Sequence, residues 1–153
     1  MKTVLFVCTG NTCRSSMAEA LFKNIMNKNK EDHDMNIISA GVAAFSGGGA
    51  NPNAIRAMKE MGIDLQGHTS SSLTPELIGQ ADLILTMTGS HRDIIVVMDP
   101  AAGEKTYTLM EYTKLEVTAG SKDIMDPYGG SIEVYRESAK QIKKALEELV
   151  LRI

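Results

Sequence analysis

Short apolar runs alternate along this chain with longer segments in which apolar residues recur every three or four positions. A short apolar run is typical of a buried strand, whereas the longer period is typical of an amphipathic helix. The runs predict strands at residues 4–7, 35–39, 82–87 and 105–108. The periodic segments predict helices at residues 16–27, 52–61, 73–78, 89–97 and 131–151.

The order of these elements predicts an α/β fold. Strands that alternate with helices form a parallel sheet that is covered on both faces. Residues 28–34 are predicted to be a charged surface connection, and residues 41–51 and 120–130 to be loops. No internal repeat or linker divides the sequence, so residues 1–153 are predicted to form a single domain. In such sheets, ligands bind beyond the carboxyl ends of the strands.

The loop between the first strand and the first helix carries the clearest chemistry. Residues 8–15 read Cys-Thr-Gly-Asn-Thr-Cys-Arg-Ser, and the sequence from Ser16 to Glu19 predicts a capping box that opens the helix. Backbone N–H groups and the helix dipole make such a loop a site for a tetrahedral oxyanion. The same positive potential favours the thiolate form of Cys8, which is then able to accept a phosphoryl group.

Arg14 decides between two interpretations of Cys8. A cysteine that ends a strand is by itself typical of an inert, buried residue. The planar guanidinium of Arg14 suits two oxygens of a phosphate, and Gly10 permits a tight turn, so the set favours catalysis. Asn11 either shapes the loop, because it tolerates left-handed backbone angles, or is an ordinary turn residue. Ser15 either donates its hydroxyl to Cys8 or belongs only to the helix cap.

Cys13 has two open interpretations. It either faces the core from the loop or forms a reversible disulfide with Cys8 that protects the nucleophile from over-oxidation. The chain has two cysteines, which is too few for a disulfide framework, and no grouping of Cys and His suggests a zinc site. We therefore expect no metal and no other cofactor, and a reducing compartment, the cytoplasm.

A second segment offers a general acid. Residues 123–130 read Asp-Ile-Met-Asp-Pro-Tyr-Gly-Gly, just before the last predicted helix. A leaving group displaced by a nucleophile needs a proton, and Asp126, held rigid by the proline after it, is a candidate donor. Spacing alone favours a turn-forming Asp-Pro with no chemistry over this role, and Asp123 is a competing carboxylate. Tyr128 is either a wall of the site or a surface aromatic.

Composition narrows the class of partner. The chain has 153 residues, 43% of them hydrophobic and 23% charged, as is ordinary for a globular protein of one domain. A net charge of −3 does not favour nucleic acid or an anionic membrane as a partner. The N-terminal apolar run is too short for a signal peptide, and no run is long enough to span a bilayer. We expect a cytoplasmic monomer.

Taken in order, these motifs resemble the low-molecular-weight protein tyrosine phosphatase family over nearly the whole chain. The matching segments are residues 8–15, Met-Ala-Glu-Ala at 17–20, Ser-Ala-Gly at 39–41, the apolar run at 81–87 and Asp-Pro at 126–127. The resemblance implies a three-layer sandwich, with a four-stranded parallel sheet and a phosphate-binding loop after the first strand. It also implies a metal-free protein phosphatase with Cys8 as nucleophile, Arg14 as phosphate clamp and Asp126 as general acid.

The resemblance extends to residues around the loop. It suggests that Ser39 and His68 hold Asn11 in a polar network. Ser16 stands where these families usually have proline, so we expect a slightly looser first helical turn. The residues expected to contact the phosphate or the rest of the substrate are Thr9, Gly10, Asn11, Thr12, Cys13, Ser15 and Tyr128.

One subgroup, the bacterial protein-arginine phosphatases, is more similar still. Thr12 stands where most family members have a branched aliphatic residue, and residues 126–132 are close to the subgroup's Asp-Pro-Phe-Gly-Gly-Ser-Ile pattern. A hydroxyl at Thr12 can orient a polar guanidinium, whereas a larger isoleucine would fill that space. The expected substrates are therefore proteins phosphorylated on arginine, unless Thr12 is only a tolerated loop residue.

Three other functions stay open on the sequence. A protein tyrosine phosphatase would use the same fold and chemistry. An arsenate reductase of this fold would relay a disulfide through further cysteines, and this chain has none after Cys13. A phosphate-binding module without turnover would not need Cys8, Arg14 and Asp126 together.

Overall fold

The computed structural model describes residues 2–28, 34–115 and 121–153. Most of the predicted charged connection, residues 29–33, and the first residue of the predicted loop 120–130 lie outside these ranges. The strands are β1 Lys2–Cys8, β2 Met35–Gly41, β3 Leu83–Thr86 and β4 Thr106–Thr108. The helices are α1 Arg14–Lys28, α2 Pro52–Glu60, α3 Pro75–Gln80, α4 Gly89–Met98, α5 Leu109–Tyr112 and α6 Ile132–Val150.

The four strands form one parallel sheet in the order β2-β1-β3-β4, which confirms the predicted fold. The central strand β1 is buried on both faces, as strands of a covered parallel sheet are. Val4 and Phe6 point to one side and pack with α1, α2 and α6, while Leu5 and Val7 point to the other and pack with α3 and α4. These helices are the two outer layers of the sandwich.

Strand order places a crevice at the end of β1. The next strand in sequence, β2, pairs with one edge of β1, and β3 pairs with the other edge. Connections that leave a sheet in opposite directions open a crevice beyond the carboxyl ends of the strands. The loop at residues 8–15 begins there, where the sequence predicts a ligand site.

The start of α1 differs from its prediction. The helix begins at Arg14, two residues before the predicted capping box, so that box is wrong. Ser16 is fully buried within the first turn, and its hydroxyl donates to the Cys13 carbonyl at 2.8 Å. The earlier start means that Arg14 and Ser15 are fixed by helical geometry as well as by the loop.

Two short elements were not predicted. A 3₁₀ helix at Pro100–Lys105 and the four-residue α5 flank β4. Neither is long enough to show a helical period in the sequence. The third predicted helix begins later than expected, at Pro75, because the Thr74 side chain accepts from the Leu77 N–H at 3.2 Å and caps it there. No helix in the described ranges is long and apolar enough to cross a membrane.

Candidate active site

The loop at residues 8–15 is held against the end of β2. The N–H groups of Val42 and Ala43 each donate at 2.9 Å, to the carbonyls of Cys8 and Thr9, and so continue the pairing beyond the strands. A Cβ on Gly41 would lie 2.8 Å from the Asn11 nitrogen and closer still to the Thr9 carbonyl. Only glycine permits this approach of two backbones.

Asn11 shapes the loop from within. It has a positive φ of 56° and is fully buried. Its Nδ2 donates to Ser15 Oγ at 2.8 Å and to Ser39 Oγ at 2.9 Å, and its Oδ1 accepts from the Ser71 N–H at 2.9 Å. These three bonds use the full donor capacity and half of the acceptor capacity of the amide, so they compensate for its burial.

A second layer of polar groups supports Asn11. His68 Nε2 lies 2.7 Å from the Asn11 carbonyl oxygen, and Ser39 donates to Glu19 Oε1 at 2.7 Å. The structure thus brings Ser39 and His68 to Asn11, where the family resemblance placed them. Glu19 was not predicted here, since the sequence had assigned it to a helix cap.

We predict that Asn11→Ala lowers the free energy of unfolding by about 1–3 kcal/mol. The change leaves the groups that bond the Asn11 side chain without a hydrogen-bond partner, and it forces alanine into a left-handed backbone conformation. Urea unfolding at neutral pH measures the change. The matched control is Asn24→Ala on α1, which is half-buried and away from the loop. Equal losses from the two variants would contradict a special role for Asn11 in holding the loop.

Cys8 lies at the bottom of the cavity that the loop encloses. Its side chain is 2% exposed, and its Sγ lies 2.8 Å from Ser15 Oγ. The Ser15 hydroxyl is also 3.5 Å from the Ala40 carbonyl and accepts from Asn11. The sulfur therefore has a hydroxyl neighbour that the Asn11 network holds in place.

Arg14 connects the loop to the segment that carries Asp126. Its guanidinium is 4% exposed, and Nη1 donates to the Ile124 carbonyl at 2.9 Å. Nη2 lies 3.5 Å from Asp126 Oδ2, on a carboxylate that is about half exposed. Asp123 is used elsewhere, since its Oδ1 accepts from the Gly89 N–H at 2.9 Å. Of the two competing carboxylates, Asp126 is therefore the one beside Arg14.

A cavity of about 400 Å³ opens above Cys8. The predicted site residues that line it are Cys8, Thr9, Gly10, Thr12, Cys13, Arg14, Asp126 and Tyr128. Asn11, Ser15, Ser39 and His68 are not among its lining residues and act behind the loop. The lining residues that the sequence did not predict are Ala43, Ala44, Phe45, Gly48 and Ser70.

Two aromatic side chains stand at the mouth of this cavity. Phe45 is 90% exposed and Tyr128 is 74% exposed. The Tyr128 N–H donates to Asp126 Oδ1 at 3.1 Å, which fixes the tyrosine beside the carboxylate. Exposed rings beside a cavity can stack on a flat group that enters it.

Cys13 faces both the cavity and the core. Its Sγ lies 3.5 Å from the Tyr135 hydroxyl on α6. Burial raises the pKa of the Cys13 thiol above its ordinary value, so the group stays protonated at neutral pH. Both cysteines are free thiols in this structure, and the disulfide with Cys8 stays a prediction.

His91 also reaches the loop, although nothing in the sequence pattern indicated it. It lies on α4, and its Nε2 is 2.9 Å from Thr9 Oγ1 while its Nδ1 is 3.1 Å from Thr88 Oγ1. Burial, followed by the nearby Arg14 charge, lowers the pKa of His91 to about 4. Within residues 2–28, 34–115 and 121–153, no group of three or more His, Cys, Asp and Glu side chains is arranged to hold a metal ion.

Along nearly its full length, the chain is similar in sequence to a known protein family and to enzymes of known activity. The family model for low molecular weight phosphotyrosine protein phosphatase matches residues 3–153. A protein-arginine-phosphatase of Bacillus subtilis (strain 168) is 44% identical over 150 residues, which cover 98% of this chain and 95% of that protein. An arsenate reductase of Staphylococcus xylosus is 34% identical over 151 residues, covering 99% of this chain and 98% of that protein.

A solved structure extends the comparison to the fold. It is a cysteine-to-serine variant of the YwlE arginine phosphatase with a phosphorylated active-site serine. It is 43% identical in sequence, superposes with a TM-score of 0.89, and covers 98% of this chain and 94% of its own.

Proposed function

The chain belongs to the low-molecular-weight phosphotyrosine protein phosphatase family and is a phosphoprotein phosphatase, and we propose that its substrates are proteins phosphorylated on arginine. The observation that carries the proposal is a single cavity lined by Cys8, Arg14, Asp126 and the hydroxyl-bearing Thr12. The chemistry assigned below to each residue is part of the proposal.

Cys8 is the nucleophile of a two-step reaction. Its thiolate attacks phosphorus in line, a sulfur–phosphorus bond forms, and the bond from phosphorus to the arginine nitrogen breaks. The Ser15 hydroxyl, 2.8 Å from the sulfur, stabilises the thiolate before attack and again when it leaves. The phosphorylated serine in the cysteine-to-serine YwlE variant supports phosphoryl transfer to a side chain at the equivalent place.

Arg14 and the loop amides bind the phosphoryl oxygens. The bond from Nη1 to the Ile124 carbonyl fixes the plane of the Arg14 guanidinium, so its remaining N–H groups are already oriented when substrate enters. The amides and the guanidinium hold the equatorial oxygens as charge redistributes in the transition state. Asp126 protonates the leaving nitrogen, and then removes a proton from the water that hydrolyses the phosphocysteine.

Preference for phosphoarginine comes from the cavity wall. A guanidinium is polar and planar, whereas the ring of phosphotyrosine is apolar. Thr12 provides a hydroxyl in the wall, and Phe45 and Tyr128 provide faces on which a guanidinium can stack at the mouth. A site that hydrogen-bonds a polar group rejects analogues that lack it.

We predict that Thr12→Ile moves the ratio of kcat/KM for phosphoarginine over phosphotyrosine toward phosphotyrosine by about tenfold or more, because bulk replaces a hydrogen-bonding group. The measurement uses peptides that differ only in the phosphorylated residue. Thr12→Val is the matched control, since it keeps the shape and removes only the hydroxyl. A ratio that stays at the wild-type value in both variants would remove Thr12 from the specificity argument.

The same experiment tests the two closest alternatives. A wild-type preference for phosphotyrosine would make the protein a tyrosine phosphatase, as the name of its family suggests. Hydrolysis of neither peptide, together with binding of inorganic phosphate, would favour a binding module. Arsenate reduction is disfavoured because the disulfide relay of an arsenate reductase of this fold needs a further cysteine, and the chain has only Cys8 and Cys13.

The proposal includes the setting in which the enzyme works. Its partners are phosphorylated proteins, not nucleic acid or a membrane, and it needs no metal or other cofactor. We propose that it is a monomer in the cytoplasm, where reducing conditions protect Cys8 from oxidation. Sedimentation of the purified chain across a range of concentrations tests the oligomeric state.

A further inference from the structure

We propose that His91 is a positioning residue that makes the Thr9 hydroxyl a hydrogen-bond donor to the phosphoryl group. The inference rests on the proposed function, because it assumes that the cavity above Cys8 holds a phosphoryl group. Its support is a chain of three side chains, from Thr88 through His91 to Thr9.

The contact joins the loop to a distant part of the chain. His91 is 4% exposed in the first turn of α4, and Thr9 is the second residue of the loop and lines the cavity. The distance of 2.9 Å between His91 Nε2 and Thr9 Oγ1 is that of a good hydrogen bond. A buried ring therefore contacts the hydroxyl of an exposed residue that lines the cavity where phosphate would bind.

The bonds of Thr88 leave its hydroxyl able to donate to His91. Thr88 caps α4, and its Oγ1 accepts from the His91 backbone N–H at 3.3 Å. That hydroxyl still has its hydrogen to donate, and His91 Nδ1 lies 3.1 Å away. If Nδ1 accepts, the proton is on Nε2, which then donates to Thr9. The hydroxyl hydrogen of Thr9 is then free to turn into the cavity.

Burial and the nearby Arg14 charge keep the His91 ring neutral, as this arrangement requires. The lowered pKa of His91 keeps the ring neutral near pH 7, with one donor and one acceptor nitrogen. Arg14 contributes to the lowering, and the more weakly acting Asp126 and Asp123 oppose it. In the opposite tautomer, Thr9 would donate to His91 and present only lone pairs to the cavity. A phosphate dianion repels lone pairs, so bound phosphate selects the proton on Nε2.

Three variants separate this role from a structural one. Thr9→Val removes the hydroxyl and keeps the branched shape. His91→Asn has an amide that reaches only as far as Nδ1, whereas His91→Gln can place an amide N–H near the position of Nε2. We expect Thr9→Val and His91→Asn each to weaken inorganic phosphate binding by about tenfold, as loss of a hydrogen bond to a charged group does. His91→Gln should recover most of that loss.

The double variant gives the decisive comparison. If His91 acts through Thr9, combining Thr9→Val with His91→Asn weakens phosphate binding no more than either change alone. Losses that multiply would overturn the proposal, and so would normal phosphate binding by Thr9→Val. Titration calorimetry with inorganic phosphate measures binding without turnover. A wild-type protein that binds phosphate but cleaves no phosphopeptide would therefore overturn the proposed function and still test His91.

The tautomer itself gives an independent readout. Long-range proton–nitrogen correlation spectra of the phosphate-bound protein show which ring nitrogen of His91 is protonated. We expect the proton on Nε2, and a proton on Nδ1 would overturn the proposal. This measurement needs only the wild-type protein, so it stands even where a His91 variant fails to fold.

Thr9→Ser, which keeps the hydroxyl, is expected to bind phosphate better than Thr9→Val.

Discussion

Changing Cys8 to serine is expected to lower kcat/KM for a phosphoarginine peptide on the order of 10⁴-fold or more, since no other group replaces the nucleophile. A serine hydroxyl keeps its proton at neutral pH and fits the same space beside Ser15. The binding groups of the loop are unaffected by the change. Inorganic phosphate should therefore still bind, while steady-state turnover of the peptide disappears. Cys8→Ala should give the same result.

The other cysteine of the loop provides the control. Cys13→Ser changes the same atom type five positions away, at a thiol in contact with Tyr135. We expect it to cost far less activity, because burial keeps that thiol protonated and its sulfur takes no part in phosphoryl transfer. Activity of the Cys8→Ser protein within tenfold of wild type, or a larger loss in Cys13→Ser, would show that Cys8 is not the nucleophile.

Local patterns in the sequence predicted the strands, helices and loops that form between residues close together in the chain. The apolar run that became β1 and the periodic segment that became α6 extend over enough residues to show their periods. The spacing from Cys8 to Arg14 lies within a single connection, so it predicted the phosphate-binding loop. The N-terminal boundary of α1 was predicted wrongly, because the sequence from Ser16 to Glu19 has the pattern of a capping box. In the structure, the Ser16 hydroxyl instead donates to the Cys13 carbonyl within the first turn.

Contacts between distant residues could not be predicted in this way. Gly41 is needed only because the backbone of Thr9 and Asn11 passes against it, which depends on how β1 and β2 pair. His91 reaches Thr9 only after β3 pairs with β1 and sets the start of α4. The placement of Ser39 and His68 came from family resemblance, since neither is distinctive by spacing.

Asp126→Asn is expected to lower kcat for a phosphoarginine peptide by about 10²–10³-fold, the usual effect of losing a general acid. The amide fits the same space and can still accept from the Tyr128 N–H, so the loop should keep its shape. Removing the carboxylate also frees Arg14 from its neighbour at 3.5 Å, so inorganic phosphate should bind at least as well as before. The leaving group decides the size of the effect. An aryl phosphate whose phenolate leaves without a proton should lose less rate than a substrate whose leaving nitrogen must be protonated.

Asp123→Asn is the matched comparison, because it makes the same chemical change three residues away. Its carboxylate accepts from the Gly89 N–H at the start of α4, a bond that an amide oxygen can also accept, so the change should cost little turnover. Rates for the two variants on an aryl phosphate and on a phosphoarginine peptide therefore form a two-by-two test. If Asp126 is the acid, only Asp126→Asn shows a loss that grows as the leaving group becomes poorer. A loss of equal size on both substrates would assign Asp126 to binding, and a leaving-group effect in Asp123→Asn would transfer the acid to Asp123.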